Sequence, residues 1–340
     1  MSDVSSLTGD AAVESEPEPA SGQAAWRSPD WRRKLQLGLA AIWLLDGVLQ
    51  LQPFMFTAGS KGFSGMLAGT ASGNPSLVAQ SISWNASLVD HHAVVANAIF
   101  AAVQILLGLG IAWRPAVRPT LAASVLWSLG VWWFGEGLGG VLRGNATPIG
   151  GGPGAVLFYA LLAVLLWPSD PAGVPAPFAA AGAIGPRAAR AVWALLWASL
   201  AFLALLGSGR SPQGVHDLIN TLDSGQPGWL AAIDAHAESL VAGQGLTVAG
   251  VFAVICFLIA VGVFLPQRAA RASVAVAVLV SAVVWVVGQN FGGILPGGAT
   301  DPNSGPVLIL LALAYWPRRP GLVEASSGSA RVDTLTGKVA

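Results

Sequence analysis

The chain has 340 residues, of which 54% are hydrophobic and 10% charged, and its 17 basic and 17 acidic side chains cancel. A soluble domain carries about a quarter charged residues, so a lipid bilayer is the expected partner, and a chain without net charge lacks the basic footprint of a nucleic-acid binder. The single cysteine, Cys256, excludes an intrachain disulfide, a zinc ribbon and a Cys-ligated cluster.

Residues 1–30, with Asp3, Asp10, Glu14, Glu16 and Glu18 among Ser, Ala and Pro, read as a disordered cytoplasmic tail, the reverse of a basic-then-apolar secretory signal. Eight apolar segments follow, near 36–56, 93–112, 119–138, 150–167, 190–207, 245–265, 272–289 and 303–316. A hydrocarbon core ~30 Å thick takes about 20 residues as a helix, and such runs are too long for buried strands. The predicted fold is therefore all-α, a polytopic membrane bundle of about eight transmembrane helices. Residues 170–186 read as a cytoplasmic linker and 321–340, rich in Ser, Gly and Thr, as a second disordered cytoplasmic tail.

With eight spans, 14 of the 17 Lys and Arg residues lie in loops on one side, and only Lys61, Arg143 and Arg210 lie on the other. By the positive-inside rule both termini are predicted in the cytoplasm, and the Ala- and Gly-rich style suggests a bacterial inner membrane. On that basis the sequons Asn85-Ala-Ser87 and Asn145-Ala-Thr147 are incidental.

The chain also reads as two copies of one unit, 31–169 and 187–320. From Trp132 it runs WWFGEGLGGVLRGNATPIGGGP and from Trp285 WVVGQNFGGILPGGATDPNSGP, which align without a gap. Gly135 pairs with Gly288, Gly139 and Gly140 with Gly292 and Gly293, Thr147 with Thr300 and Pro153 with Pro306; Arg118 pairs with Arg271 at the same offset of 153. Both copies close on Trp-Pro, at Trp167 and Trp316. Four spans per copy make the repeats parallel. Each copy has a long loop after its first span, 57–92 and 208–244. Their apolar positions, such as Val78, Ile82 and Trp84, then Val215 and Ile219, predict short helices at the interface.

Several polar residues are candidates for chemistry. Asp46 lies about ten residues, hence ~15 Å, into the first span, where an acid serves a proton, ion or substrate path or is a hydrogen-bonded structural group. Glu136, within Gly135-Glu136-Gly137, has Gln289 as its repeat partner and belongs to the same candidate path. Asp90, His91 and His92 in the first copy and Asp234 and His236 in the second share a D-x-H pattern where the long loop turns into the next span. Carboxylate with imidazole suits a metal ion or proton exchange with a quinone; the same residues equally cap a helix start. The glycines at 135–140 are no phosphate loop, since no strand precedes and no Lys-Ser/Thr follows; they fit close packing and a tight turn. Short apolar runs led by Gly and Pro, 153–167 and 306–316, read either as short spans or as broken helices lining a transporter site.

Each half, with four spans, a basic approach to its first helix and a first helix carrying Leu37-Gly38, Trp43 and Gly47, resembles the four-helix DoxX-like membrane proteins. The resemblance implies a four-helix bundle associated in some members with quinone-linked redox chemistry, and it carries over no catalytic residue. Three functions stay open at this point: a small-molecule or ion transporter, a membrane-embedded redox or metal-binding subunit, and a structural or assembly protein that works with a membrane-complex partner or as a homo-oligomer.

Overall fold

The computed structural model describes residues 31–169, 176–206, 211–222 and 225–317. The predicted tails 1–30 and 321–340 and the start of the predicted linker, 170–175, lie outside the described residues. Among the described residues every regular element is helical. The first half holds α1 (Trp31–Leu49), α2 (Phe63–Ala71), α3 (Ser76–His91), α4 (Ala93–Ala112), α5 (Val117–Phe134) and α6 (Ala155–Leu165). After the short α7 (Ala181–Ile184) come α8 (Pro186–Ala204), α9 (Gly214–Asn220), α10 (Gly228–Val241), α11 (Gly245–Gly262), α12 (Gln267–Val283) and α13 (Ser304–Ala314).

Among the described residues four helices are long and apolar enough to cross a membrane: α4, α8, α11, and α12 with its continuation to Gly288. Their outward positions are apolar, as at Val94, Ile99 and Leu106 on α4 or Val254, Phe257 and Leu258 on α11, an exposed surface compatible with lipid contact. Helices α6 and α13 are shorter than the apolar runs that contain them. Each has 11 residues, about 17 Å of rise against a hydrocarbon core of ~30 Å.

Helix α1 packs against α4 because both carry glycine where the backbones meet. A Cβ at Gly47 would fall 2.5 Å from Ile105 Cγ1, and one at Gly108 would fall 2.8 Å from the Ala40 carbonyl oxygen. Small residues let helices approach closely in this way.

Arginines gather the chain at one end of the bundle by capping carbonyls that helix ends leave unpaired. Arg33 donates to the carbonyls of Ile111 and Ala112 at the end of α4. Arg118, beginning α5, donates to Pro168 O at 2.8 Å beyond α6, and Arg271, in α12, donates to Pro317 O at 3.3 Å beyond α13. The two arginines paired in the sequence thus do the same work.

One core runs through both halves, with Trp43, Phe158, Tyr159, Trp193, Trp197, Cys256 and Tyr315 buried in it. Helices α6 and α13 pack against each other at its centre. The second part of the predicted linker is more than a spacer. Phe178 stacks on Tyr315 with ring centroids 5.2 Å apart, Ala180 N donates to Ala314 O at 3.0 Å, and residues 178–181 are buried.

The two long loops fold as the predicted short helices, α2 with α3 and α9 with α10. On α3, Val78 and Ile82 face inward while Leu77 and Trp84 are exposed, the two-sided pattern of a helix lying at a membrane interface.

Candidate functional site

Both halves break in the same manner ahead of their short helix. Four consecutive residues take left-handed backbone angles: Gly137 (φ 56), Leu138 (φ 58), Gly139 (φ 58) and Gly140 (φ 75), and in the second half Asn290 (φ 48), Phe291 (φ 53), Gly292 (φ 73) and Gly293 (φ 75). Such residues normally occur singly, because Cβ crowds the carbonyl in that region. Here they end the helix and lay the following chain across the end of the bundle.

That chain is seated by a tryptophan. Trp132 Nε1 donates to Pro153 O at 2.6 Å, and Trp285 Nε1 donates to Pro302 O at 2.8 Å. The structural partner of Pro153 is therefore Pro302, correcting the gapless pairing with Pro306: the turn in the second half is shorter.

The carboxylate or amide just past the long helix then meets the start of the short helix. Glu136 Oε1 accepts from Val156 N at 3.3 Å, and Gln289 Oε1 accepts from Gly305 N at 3.1 Å. A helix N-terminus offers free N–H groups and a partial positive charge, which suits an acceptor at this place. Gly154, with φ 120, brings the backbone against Glu136; a Cβ there would lie 2.2 Å from Glu136 Oε2.

The two positions differ in what remains unsatisfied. Gln289 also donates to Ser304 Oγ at 2.7 Å, which uses its amide nitrogen as well as its oxygen. Glu136 Oε2 is buried with no hydrogen-bond partner.

Glu136 lines a cavity of about 140 Å³ that also receives Asp46 from α1 and Asp301 from the turn before α13. Three carboxylates from three separate elements thus share one space, whose walls include Trp43, Gln50, Gln104 and Thr300 and, among the described residues, no Lys, Arg or His. Asp46 is 1% exposed and accepts from the Tyr159 hydroxyl at 3.3 Å, while the Tyr159 ring meets Trp43 edge-on at 4.9 Å. Asp301 accepts from Thr300 Oγ1 at 2.8 Å and from Asn303 N at 2.7 Å. Burial nevertheless holds the Asp301 carboxyl above the usual carboxylate range, against the pull of those two donors. Glu136 and Asp301 also line a neighbouring, more open pocket of about 300 Å³, so they stand between the inner cavity and that basin.

Of the predicted path residues, Asp46 and Glu136 come together in this cavity, and Gln289 does not line it. Asp301 and Tyr159 complete the site, although neither is marked by its local sequence. Tyr159 is one of only two tyrosines in the chain, and Asp301 is the acid inside the Asp-Pro-Asn-Ser-Gly turn.

The predicted metal residues Asp90, His91, His92, Asp234 and His236 do not converge. Among the described residues no group of three or more His, Cys, Asp or Glu side chains is placed to hold a metal ion. Asp90 instead accepts from Gly59 N at 2.6 Å and Ser64 Oγ at 2.7 Å, and these bonds hold its carboxyl below the usual range, the Ser64 hydroxyl contributing most. It pins the loop that leads into α2. His91 Nδ1 lies 2.7 Å from Ser87 O, Asp234 is buried in α10, and His236 is exposed two residues further on.

The chain matches no family model, no curated protein and no solved structure. The functional reading accordingly rests on the cavity alone.

Proposed function

We propose that the chain is a multi-pass inner-membrane transporter for an ion or small cationic solute, with Asp46, Glu136 and Asp301 as the groups that meet the cargo. The observation that carries this reading is the convergence of the three carboxylates on one cavity with no basic side chain in its wall. Buried carboxylates without such partners are stable when they hold protons or a cation, and acids at membrane depth are most often part of a proton, ion or substrate path.

In this proposal the bundle has eight spans in two parallel four-helix copies, α1, α4, α5 and α6, then α8, α11, α12 and α13, each resembling the DoxX-like unit. The matched left-handed turns, tryptophan bonds and arginine caps support the duplication. Helices α6 and α13 are the discontinuous spans, completed by irregular backbone, which is tolerated at membrane depth where it is buried in protein or lines a cavity. Both termini lie in the cytoplasm, because the arginine-capped end of the bundle is then the inner one. The carboxylate cavity and the basin beside it lie toward the outer face.

The test is proton and sodium flux into proteoliposomes holding the purified full chain. Flux is expected in the parent and a drop of about tenfold or more in Asp46→Asn. Flux equal to that of empty liposomes, or flux insensitive to Asp46→Asn, overturns the proposal.

A further inference from the structure

The carboxylate cavity has a second neighbour, an apolar groove of about 530 Å³ between α4 and α5. The two spaces share a wall made of Gln50, Phe63, Leu67, Gln104, Val131 and Gly135. Beyond it the groove is walled by Phe100, Trp127 and Phe134, the first two meeting edge-on at 5.7 Å, and its rim reaches Leu126, which is 72% exposed on the flank of the bundle. The open flank of the groove is therefore on the side that faces lipid when the bundle is in a bilayer.

The shared wall is not merely apolar. Gln50 and Gln104 are 4% and 6% exposed, and the Oε1 atom of each is buried without a hydrogen-bond partner. A buried amide oxygen left unpaired is costly, and a donor that reaches it recovers that cost. Here two such acceptors stand between an aromatic groove and a space lined by three carboxylates. Every one of these groups accepts hydrogen bonds or favours positive charge, and the adjoining volume suits a hydrophobic body.

Resting on the transport reading of the same cavity, we propose that the cargo is an amphipathic organic amine. Its ammonium group passes Gln50 and Gln104 to reach the carboxylates, its apolar part fills the groove between α4 and α5, and it enters laterally from the bilayer. A volume of this size accommodates a ligand larger than a bare ion. An uncharged acyl chain would leave both amide oxygens and Glu136 Oε2 unanswered.

Gly130 offers a way to fill the groove without touching the acids. It lines the groove and not the carboxylate cavity, and a Cβ built on it meets nothing within 4 Å. Gly130→Leu therefore projects a side chain into open space, and leucine is the better helix former.

The experiment is calorimetric titration of the full chain in phosphatidylcholine nanodiscs with hexylamine at neutral pH, where it is the ammonium ion, beside methylamine and 1-hexanol. Empty nanodiscs are subtracted, and monodisperse elution with an unchanged thermal midpoint shows that each variant is folded. Saturable hexylammonium binding is expected, with methylammonium and hexanol each about tenfold weaker or more, and a similar loss in both Glu136→Gln and Gly130→Leu. Hexanol binding as tightly as hexylammonium would make the groove a lipid-chain site and overturn the proposal. So would binding that either variant leaves intact, or no binding above that of empty nanodiscs. Proton or sodium flux sensitive to Asp46 with no hexylammonium binding removes this proposal and leaves the transport reading standing; site-specific binding without flux of protons, sodium or hexylammonium keeps the amine site and removes transport, and with it the claim that the amine is cargo.

Discussion

Glu136 and Gln289 pair at an offset of 153 residues, each lying just beyond the end of a long helix and each accepting a hydrogen bond from the first turn of a short one. Gln289 is satisfied by Gly305 N and Ser304 Oγ, whereas Glu136 keeps one oxygen buried and unpartnered beside the cavity. One half has a structural amide where the other has a carboxylate with capacity left for a ligand. The two turns are thus alike in backbone and unlike in chemistry.

Glu136→Gln should separate those two roles. The amide retains an acceptor for Val156 N, so the variant is expected to fold with a thermal midpoint no lower than the parent, since an amide costs less to bury than an ionisable carboxyl. Flux is expected to fall by about tenfold or more, as for other groups that meet the cargo directly. A fall in the thermal midpoint, read by fluorescence in detergent, would instead make Glu136 a structural anchor.

Tyr159→Phe removes the hydroxyl that donates to Asp46 while leaving the ring against Trp43. The expected loss is about 1 kcal/mol of stability, the net worth of one hydrogen bond. Chemical denaturation in mixed micelles measures it, and Asp46→Asn combined with Tyr159→Phe should cost less than the two single effects added, because the pair interacts.

Asp301 gives a pH dependence with a definite sign. Burial raises its folded pKa above the usual carboxylate range, so its contribution to stability is fully present below that range and is lost as pH rises through the folded pKa. Asp301→Asn cannot ionise and lacks this loss. Thermal midpoints measured from acid to neutral pH should show the variant gaining on the parent as pH rises; parallel curves would refute the assignment.

Asp90 has the opposite sign. Its folded pKa is depressed, so its bonds to Ser64 and Gly59 are at full strength above the unfolded value and weaken as pH falls through the folded one. Asp90→Asn is expected to free the loop at 57–62 for limited proteolysis at neutral pH, and acidification should do the same to the parent. Stripping with a chelator is expected to leave the cleavage pattern unchanged, since this carboxyl serves a loop.

Gly139→Ala is the severe backbone variant. Its φ of 58 lies in the left-handed region, and a Cβ would fall 1.7 Å from Pro153 O, the carbonyl that Trp132 holds. Left-handed strain of ~1–2 kcal/mol per residue adds to overpacking of ~1–3 kcal/mol. Purification yield and the thermal midpoint should both drop, while Gly130→Leu, with open space before it, leaves the midpoint in place.

The long helices were legible from hydropathy alone. The apolar run 93–112 is α4 to the residue, and 245–265 contains α11, because nothing in those segments competes with the helix. The runs ending at Trp167 and Trp316 hide where their helices begin, since Gly, Pro and Asn set backbone angles that hydropathy does not record. The shorter second turn had left a trace: Arg118 and Arg271 are 153 residues apart, but Trp167 and Trp316 only 149. Asp46 and Glu136 stood out as isolated acids in apolar surroundings. Asp301 did not, because a polar turn looks ordinary until α13 packs on α6 and carries it over the cavity. The D-x-H pattern shows the converse: local spacing says nothing of whether two loops meet, and among the described residues these side chains are not gathered into one ligand group.

Two helices of 11 residues at the centre of the bundle have a consequence for how the chain is made. Insertion machinery sorts a nascent segment by its own apolar length, and ~17 Å of helix is a weak signal for integration by itself. In the eight-span proposal, helices α6 and α13 are therefore drawn into place by neighbours already in the bilayer and by each other. Synthesised separately, the two halves would each be left with one helix lacking its mate, and assembly should go to completion only when α13 emerges and docks against the waiting α6.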